Sequence, residues 1–344
     1  FRMKNDYDFL FITSLSAFYK VKLYNEISRK KRVYVIFLDY LNNRRNKDFV
    51  TEKKDFESIT LSDKVFWKKY VCILKILFKI RYKKIVLGGW DSIYYWMIIP
   101  FIRKNKSCIV VESSIYESKI FGIRKILKQI YINKFGIAFV SGESQKRLLH
   151  AISYRGRIIK TYGVGIFNII SRLPFTYKDK VEYFLYVGRL SEEKNLQYLI
   201  ETFNSLPSLQ LTIIGFGPQE IYLKKIAKSN IKFLGPIANK DMSLYYQMHD
   251  VFILPSVIEP WGMVVEEAFN NGLPVIVSDK VGCSDEIVKS NINGLIFDID
   301  DANGLRYAII KMLDLDFYNL MRKNVCNMNF DLIKDKQVQA YCNV

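Results

Sequence analysis

The sequence predicts an α/β protein made of two doubly wound parallel-sheet domains that face a central cleft. Three observations predict it. The chain has 344 residues, enough for two domains of ordinary size. Short β-branched runs alternate along it with amphipathic segments of helical period. The composition, 50% hydrophobic and 25% charged, is that of a globular chain and excludes a disordered or fibrous one.

Taken in order, the first half offers strands at FLFIT (9–13), VYVIF (33–37), KIVLG (84–88), CIVV (108–111) and IAFV (137–140), with a short one near 158–161. The second half offers YFLYVG (183–188), LQLTIIG (209–215), IKFLG (231–235), VFILP (251–255), PVIVS (274–278) and GLIF (294–297). Helical segments fill most gaps, as parallel sheets require. The stretch NIISRLPFTYKDKVEY (168–183) has no clear period and contains a proline, so the linker is placed there. The domains are therefore 1–170 and 171–344, with a C-terminal helix at about 317–344 a candidate to pack back on the first. In open α/β sheets ligands bind beyond the carboxyl ends of strands, so the loops after strands are the candidate sites.

The charge is unevenly spread. Residues 1–170 carry 34 Lys/Arg and 13 Asp/Glu, whereas residues 171–344 carry 18 and 21, which makes up the net +18. The first half is expected to meet an anionic partner, and a membrane surface, a nucleic acid or a phosphorylated substrate would each fit. A lysine-rich solvated surface explains the same charge without a partner. No RNA-reading or helix-turn-helix motif supports nucleic acid. The five cysteines, at 72, 108, 283, 326 and 342, show no CxxC spacing and number an odd five, which points to reduced thiols in a cytoplasmic protein. With only two histidines, His150 and His249, a metal site is not expected. The run YYWMIIPFI (94–102) is too short to span a bilayer, which takes roughly 20 residues. FRMKNDYDFLFITSL does not read as a signal peptide, and Met3 is a candidate start.

Two motifs carry chemistry. SVIEPWGMVVEEAF (256–269) follows the strand VFILP and opens a helix. Pro260 suits a first helical turn, and Gly262 admits close approach of a ligand to the backbone. The N–H groups near Gly262, Met263 and Val264, with the helix dipole behind them, form a candidate anion site. Glu259, an acceptor only, suits sugar hydroxyls rather than phosphate. A second acid on the helix could take another pair of hydroxyls, and spacing alone does not choose between Glu266 and Glu267, which point about 100° apart. YVGRLSEEKN (186–195) also follows a strand. Gly188 ends the strand, and Arg189 and Lys194 bracket a turn able to neutralise a diphosphate. A helix N-capped by Ser191 explains much of this motif without any function. GFGPQE (215–220), with Gly215 at its head, lacks the third glycine of a dinucleotide fingerprint and reads as a strand-to-helix turn.

GRLSEEKN, GFGP, a strand ending in FLG, and LPSVIEPWGMVVEEA together resemble the retaining glycosyltransferase family 4, of the GT-B fold. The seven residues between Glu259 and Glu267 match that family's E-x7-E element. The resemblance covers residues 183–300. In the first half it rests on strand order, FVSGESQKRLL (139–149) and YGVGIFN (162–168). It implies two Rossmann-like domains and transfer of a sugar from a UDP- or GDP-sugar to a glycan acceptor. That acceptor is expected to be a lipid-linked or cell-surface polysaccharide or lipopolysaccharide precursor, reached from the cytoplasmic face of the membrane. Arg189 and Lys194 would hold the donor diphosphate, Glu259 would face the sugar, and Glu267 the ribose diol. The main chain of Gly262–Val264 would contact phosphate, and Leu234 and Pro236 would lie near the base. No cofactor or metal is implied. Three features depart from the family: TSLSAFYK (13–20) has no glycine, Cys283 stands where a second glycine is common, and no histidine follows a first-half strand. Glu112 holds that position instead and is the acceptor-side candidate. The alternative is a catalytically silent partner subunit that binds a nucleotide sugar or glycan.

Two basic amphipathic segments remain, DKVFWKKYVCILKILFKIRYKK (63–84) and SKIFGIRKILKQIYINK (118–134). On a helix, Lys64, Lys68, Lys75 and Lys79 share one side. Phe66, Ile73, Leu74, Leu77, Phe78 and Ile80 fill most of the other. Each segment reads either as a sheet-packing helix or as a surface for anionic lipid.

Overall fold

The computed structural model describes residues 6–39, 52–118, 120–171 and 173–344, so Met3, Lys119 and Arg172 lie outside it. The chain divides into two compact units, Phe1–Phe167 with Ile333–Val344, and Asn168–Leu332.

The first unit runs β1 (Asp6–Leu15), α1 (Phe18–Ser28), β2 (Val33–Asp39), β3 (Glu57–Thr60), α2 (Phe66–Lys79), β4 (Arg81–Leu87), α3 (Ile93–Ile98), β5 (Ser107–Val111), α4 (Gly122–Ile132), β6 (Ile137–Val140), α5 (Glu143–Ala151) and β7 (Arg157–Lys160). Its strands form one parallel sheet in the order β3-β2-β1-β4-β5-β6-β7. Strands that read as continuous apolar runs are buried on both faces. Leu10 and Ile12, Ile85 and Leu87, and Ile109 share a core with Ile73 and Leu77 of α2, Tyr95 and Ile98 of α3, Ile132 of α4 and Leu148 of α5. Four consecutive crossover helices thus cover one face.

The second unit runs β8 (Tyr183–Val187), α6 (Leu196–Asn204), β9 (Gln210–Ile214), α7 (Glu220–Ile226), β10 (Ile231–Gly235), α8 (Met242–Gln247), β11 (Val251–Leu254), α9 (Met263–Asn270), β12 (Val275–Ser278), α10 (Ser284–Ile287), β13 (Gly294–Phe297), α11 (Gly304–Met312) and α12 (Leu315–Cys326). The sheet order is β10-β9-β8-β11-β12-β13, again all parallel. The direction of winding reverses at β1/β4 in one sheet and at β8/β11 in the other, and such points leave a crevice at the carboxyl edge. Helix α13 (Phe330–Cys342) begins in the second unit and returns to the first. There Tyr341 packs against Phe11 and Phe139, with ring centroids at 6.2 and 4.3 Å.

Several elements differ from the sequence reading. The edge strand β3 was not expected: its four residues, ESIT, are too few for a period and none is buried. The helix expected over 63–84 ends at Lys79, where Ile80 turns extended. RYKK then begins β4, pairing Asp6 with Arg81 and Tyr7 with Tyr82, and Lys83 meets Asp8 at 2.7 Å. Phe78, placed by the sequence on the same apolar side of α2 as Ile73 and Leu77, is 67% exposed where those two are buried. Pro260 precedes the α9 N-cap by two residues rather than entering the first turn. Ser191 starts a 3-10 turn, Glu192–Lys194, and α6 follows only after Asn195, whose φ is 56°. All five cysteines are free. Among the described residues no helix is long and apolar enough to cross a membrane.

Candidate active site

The loops after β8, β9, β10, β11 and β12 interlock at the carboxyl edge of the second sheet. Gly188 donates its N–H to the Ile214 carbonyl at 3.0 Å. Gly215, at φ +134°, lies so close that a Cβ there would stand 1.8 Å from the Gly188 oxygen. Leu190 donates to Phe216 and accepts from Gln219, each at 3.0 Å, and a Cβ on Gly217 would come within 2.3 Å of the Leu190 oxygen. These glycines are there because two backbones touch. Gly215 donates in turn to the Gly235 carbonyl at 2.9 Å, and Gly235, at φ +71°, sits in a bulge after Phe233. Leu234 and Pro236 flank that bulge.

The charged residues are set by the same backbone contacts. The Glu193 carbonyl accepts from Val257 at 3.0 Å and from Ile258 at 3.4 Å, which fixes the 3-10 turn against the loop after β11. Lys194 Nζ then meets Glu259 Oε2 at 2.5 Å, and both side chains are only 15% exposed. Arg189, one turn earlier, is exposed. Glu259 is paired by its backbone with Val281, its carbonyl accepts from Gly282 at 2.8 Å, and Trp261 accepts from Cys283 at 2.8 Å. This short ladder leaves no room at Gly282, where a Cβ would lie 1.9 Å from the Pro260 oxygen. Cys283 fits where a second glycine was expected: it is fully buried and its Sγ lies 3.7 Å from the Gly262 carbonyl. Burial, with Glu266 and Glu259 nearby, keeps its thiol protonated well above the usual range.

Gly262, at φ +94°, is the N-cap of α9, so the helix's positive end with Met263 and Val264 opens beside Glu259. The two helix acids part company here. Glu266 is buried, and the Trp261 indole N–H donates to its Oε2 at 2.7 Å. Burial pushes its carboxyl up to about 8, against the stabilising indole bond. Glu267 is partly exposed and accepts from the Tyr246 hydroxyl at 2.9 Å. Burial and the Glu267 charge hold that phenol protonated, so it remains a donor. Lys194, Glu259 and Gly262 thus meet in the loops after β8 and β11, with Arg189 at the head of the first loop and Glu267 further along α9. Tyr246 was not among the expected site residues, because it lies on a six-residue helix with no motif of its own.

Glu112 lies in the first unit, directly after β5. It pairs with Lys20 at 2.9 Å and lines a cavity of about 260 Å³ with Ser14, Tyr19, Gly88, Trp90 and Asp91. Burial works against the Lys20 ammonium, but Glu112, Tyr19 and Tyr24 outweigh it and raise its pKa well above the usual range. Lys20 was not singled out in the sequence. It stands in the glycine-free segment after the first strand, one α1 turn from the sheet. His150 lies in the last turn of α5, and His249 precedes β11 with its Nδ1 at 2.6 Å from the Tyr245 carbonyl.

Comparison with known proteins follows this geometry. Residues 172–327 match the family described as glycosyl transferases group 1. An uncharacterised 41.2 kDa protein in the cps region of Klebsiella pneumoniae is 29% identical over 69% of this chain and 60% of its own length. The Escherichia coli UDP-Gal:alpha-D-GlcNAc-diphosphoundecaprenol alpha-1,3-galactosyltransferase is 28% identical over 47% of this chain and 45% of its own. The chain thus spans no more than 60% of the length of these curated relatives. Among solved structures, the Anabaena protein Alr3699/HepE in complex with UDP and glucose superposes with a TM-score of 0.75 at 14% identity, covering 98% of this chain and 100% of that one. At that identity the likeness concerns fold. Two parallel α/β sheets wound in this order give the chain a GT-B fold, and its second unit resembles the group 1 glycosyl transferases over nearly all of its length.

Proposed function

We propose that the protein transfers a sugar from a nucleotide-sugar donor, a UDP- or GDP-sugar, to a glycan acceptor with retention at the anomeric carbon. The observation that carries this is the Lys194–Glu259 pair set beside the open N-terminus of α9, with Glu267 oriented one helical turn further on by Tyr246. Lys194 and Arg189 neutralise the donor diphosphate, and the N–H groups of Gly262–Val264 donate hydrogen bonds to its oxygens. Glu259 grips hydroxyls of the transferred sugar and Glu267 those of the ribose, while Leu234 and Pro236 border the base. In this reading the cations and helix N–H groups meet the charge on the leaving diphosphate without a resident metal. The bond from the anomeric carbon to the diphosphate breaks as the acceptor oxygen bonds to the same face. The leaving phosphate takes the acceptor proton, so no protein base is required. Glu112, held by Lys20, is assigned to the acceptor side.

The similarities to a cps-region protein and to an enzyme named for a diphosphoundecaprenol acceptor favour a lipid-linked or cell-surface polysaccharide or lipopolysaccharide precursor as acceptor. That acceptor places the protein at the inner face of the cell membrane, held by its basic first unit. The test is a thermal-shift titration with UDP, GDP and their sugars, followed by a transfer assay. One nucleotide family should raise Tm, and Glu267→Ala should abolish the shift. Binding without transfer to any glycan acceptor would favour a silent partner subunit. No shift in folded protein would remove the donor site.

A further inference from the structure

Helix α4 is built the wrong way round for a helix that only covers a sheet. Ile123, Ile126, Leu127 and Ile130 follow the spacing of one helical face, yet they are 71%, 54%, 48% and 56% exposed, and Phe121 before them is 69% exposed. Only Tyr131 and Ile132, at the helix end, are buried. A water-facing helix normally turns such a stripe toward the core. Helix α2 repeats the pattern. It buries Ile73 and Leu77, but Trp67, Val71 and Phe78, which share another face, are 67%, 46% and 67% exposed. Phe101, 48% exposed, extends this stripe at 5.9 Å from Phe78.

The two helices belong to one layer. Both pack into the same core on the same side of the sheet, and α3 joins them through ring contacts, Phe66 with Tyr94 and Trp96 with Tyr131. Cations flank the apolar residues: exposed Lys68, Lys75 and Lys79 beside the α2 stripe, and Arg124 with Lys125 on the sides of α4. Neither helix contains an acidic residue. A second copy of the same face would bring cation to cation with no carboxylate to answer it. An anionic bilayer answers both halves of the pattern, with phosphates for the lysines and acyl chains for the isoleucines and aromatics.

We propose that the outer faces of α2 and α4 form a membrane-docking surface that inserts apolar side chains into an anionic bilayer. This deepens the membrane part of the proposed function and rests on it only for the place of the reaction. The docking itself needs no donor site. The exposed apolar residues of these two helices become the buried part of a protein–lipid interface, and the cations beside them become the rim that meets the headgroups.

The test is co-sedimentation of the full chain with phosphatidylcholine vesicles with and without phosphatidylglycerol, at low and high salt. Binding should require phosphatidylglycerol, and part of it should survive high salt. The double variant Ile123→Asp/Ile126→Asp should weaken it at least about tenfold, since the exposed positions leave the core intact. Trp67 emission should shift to the blue on binding, a change lost in Trp67→Phe. Binding that salt abolishes and the aspartates leave untouched would overturn insertion. So would a lipid-free dimer broken by the same aspartates, which would assign the face to a second copy, or no vesicle binding at all. Nucleotide-induced Tm shifts on the same variants separate this proposal from the donor-site reading: the aspartates should leave them unchanged.

Discussion

Glu266 and Glu267 are neighbours with opposite fates, and the difference is measurable. A carboxyl whose native pKa is raised from 4.5 to about 8 holds its proton in the folded state where the unfolded chain has lost it. Between those values the folded state binds more protons, so its stability falls as pH rises through that window and levels off above it. Glu266→Gln keeps an acceptor for Trp261 and removes the titration. It should gain on the wild type by on the order of 3 kcal/mol between about pH 5 and pH 8, read from urea unfolding at each pH. Parallel stability curves for the two proteins would show that Glu266 is ionised when folded. At Lys194 the expected effect is on turnover: Lys194→Ala should lower kcat by about 10²-fold or more with the fold retained, because the diphosphate loses its cation as its charge develops. Near wild-type turnover would remove Lys194 from the site. The sequence made both helix acids legible as candidates. Spacing alone could not choose between them and only the family resemblance pointed to Glu267, because which acid faces the core depends on the indole of Trp261 and the phenol of Tyr246, contacts that no spacing encodes.

At the scale of elements, most strands were readable because parallel strands buried on both faces are continuous apolar runs, as in FLFIT and VFILP. β3 and the start of β4 were not. A four-residue edge strand has no period, and RYKK is charged because it lies at the sheet's exposed amino edge rather than because it ends a helix. The glycine turns were legible as residues but not as contacts. Gly215 matters because the Gly188 backbone lies where its Cβ would be, and its φ of +134° adds strain for any L side chain. Gly215→Ala should therefore cost about 2–4 kcal/mol of unfolding free energy and weaken nucleotide binding with it. An unaltered midpoint in guanidinium would mean that the loops after β8 and β9 move apart freely. The outward apolar stripes of α2 and α4 were half visible: the sequence showed the period, but the same period suits a core face or a surface.

For the molecule as a whole, the first unit is assembled from two separate stretches of chain. Residues 1–167 leave the sheet without the cover that Val338 and Tyr341, 2% and 4% exposed, supply from α13. Tyr341→Ala should destabilise the first unit by on the order of 3–5 kcal/mol. A chain stopped after Leu332 should lose that unit's unfolding transition while the second unit keeps its own, which calorimetry can resolve. A single unchanged transition in the truncated chain would contradict the division. This there-and-back path sets an order for synthesis on the ribosome. Domains generally fold as they emerge, the first made being the first finished. Here the second unit is complete by Leu332, while the earlier one must wait for residues 333–344. Until then its lysine-rich, apolar-striped half is present as an unfinished fold, and the segment most exposed to misassembly is translated well before the one that completes it.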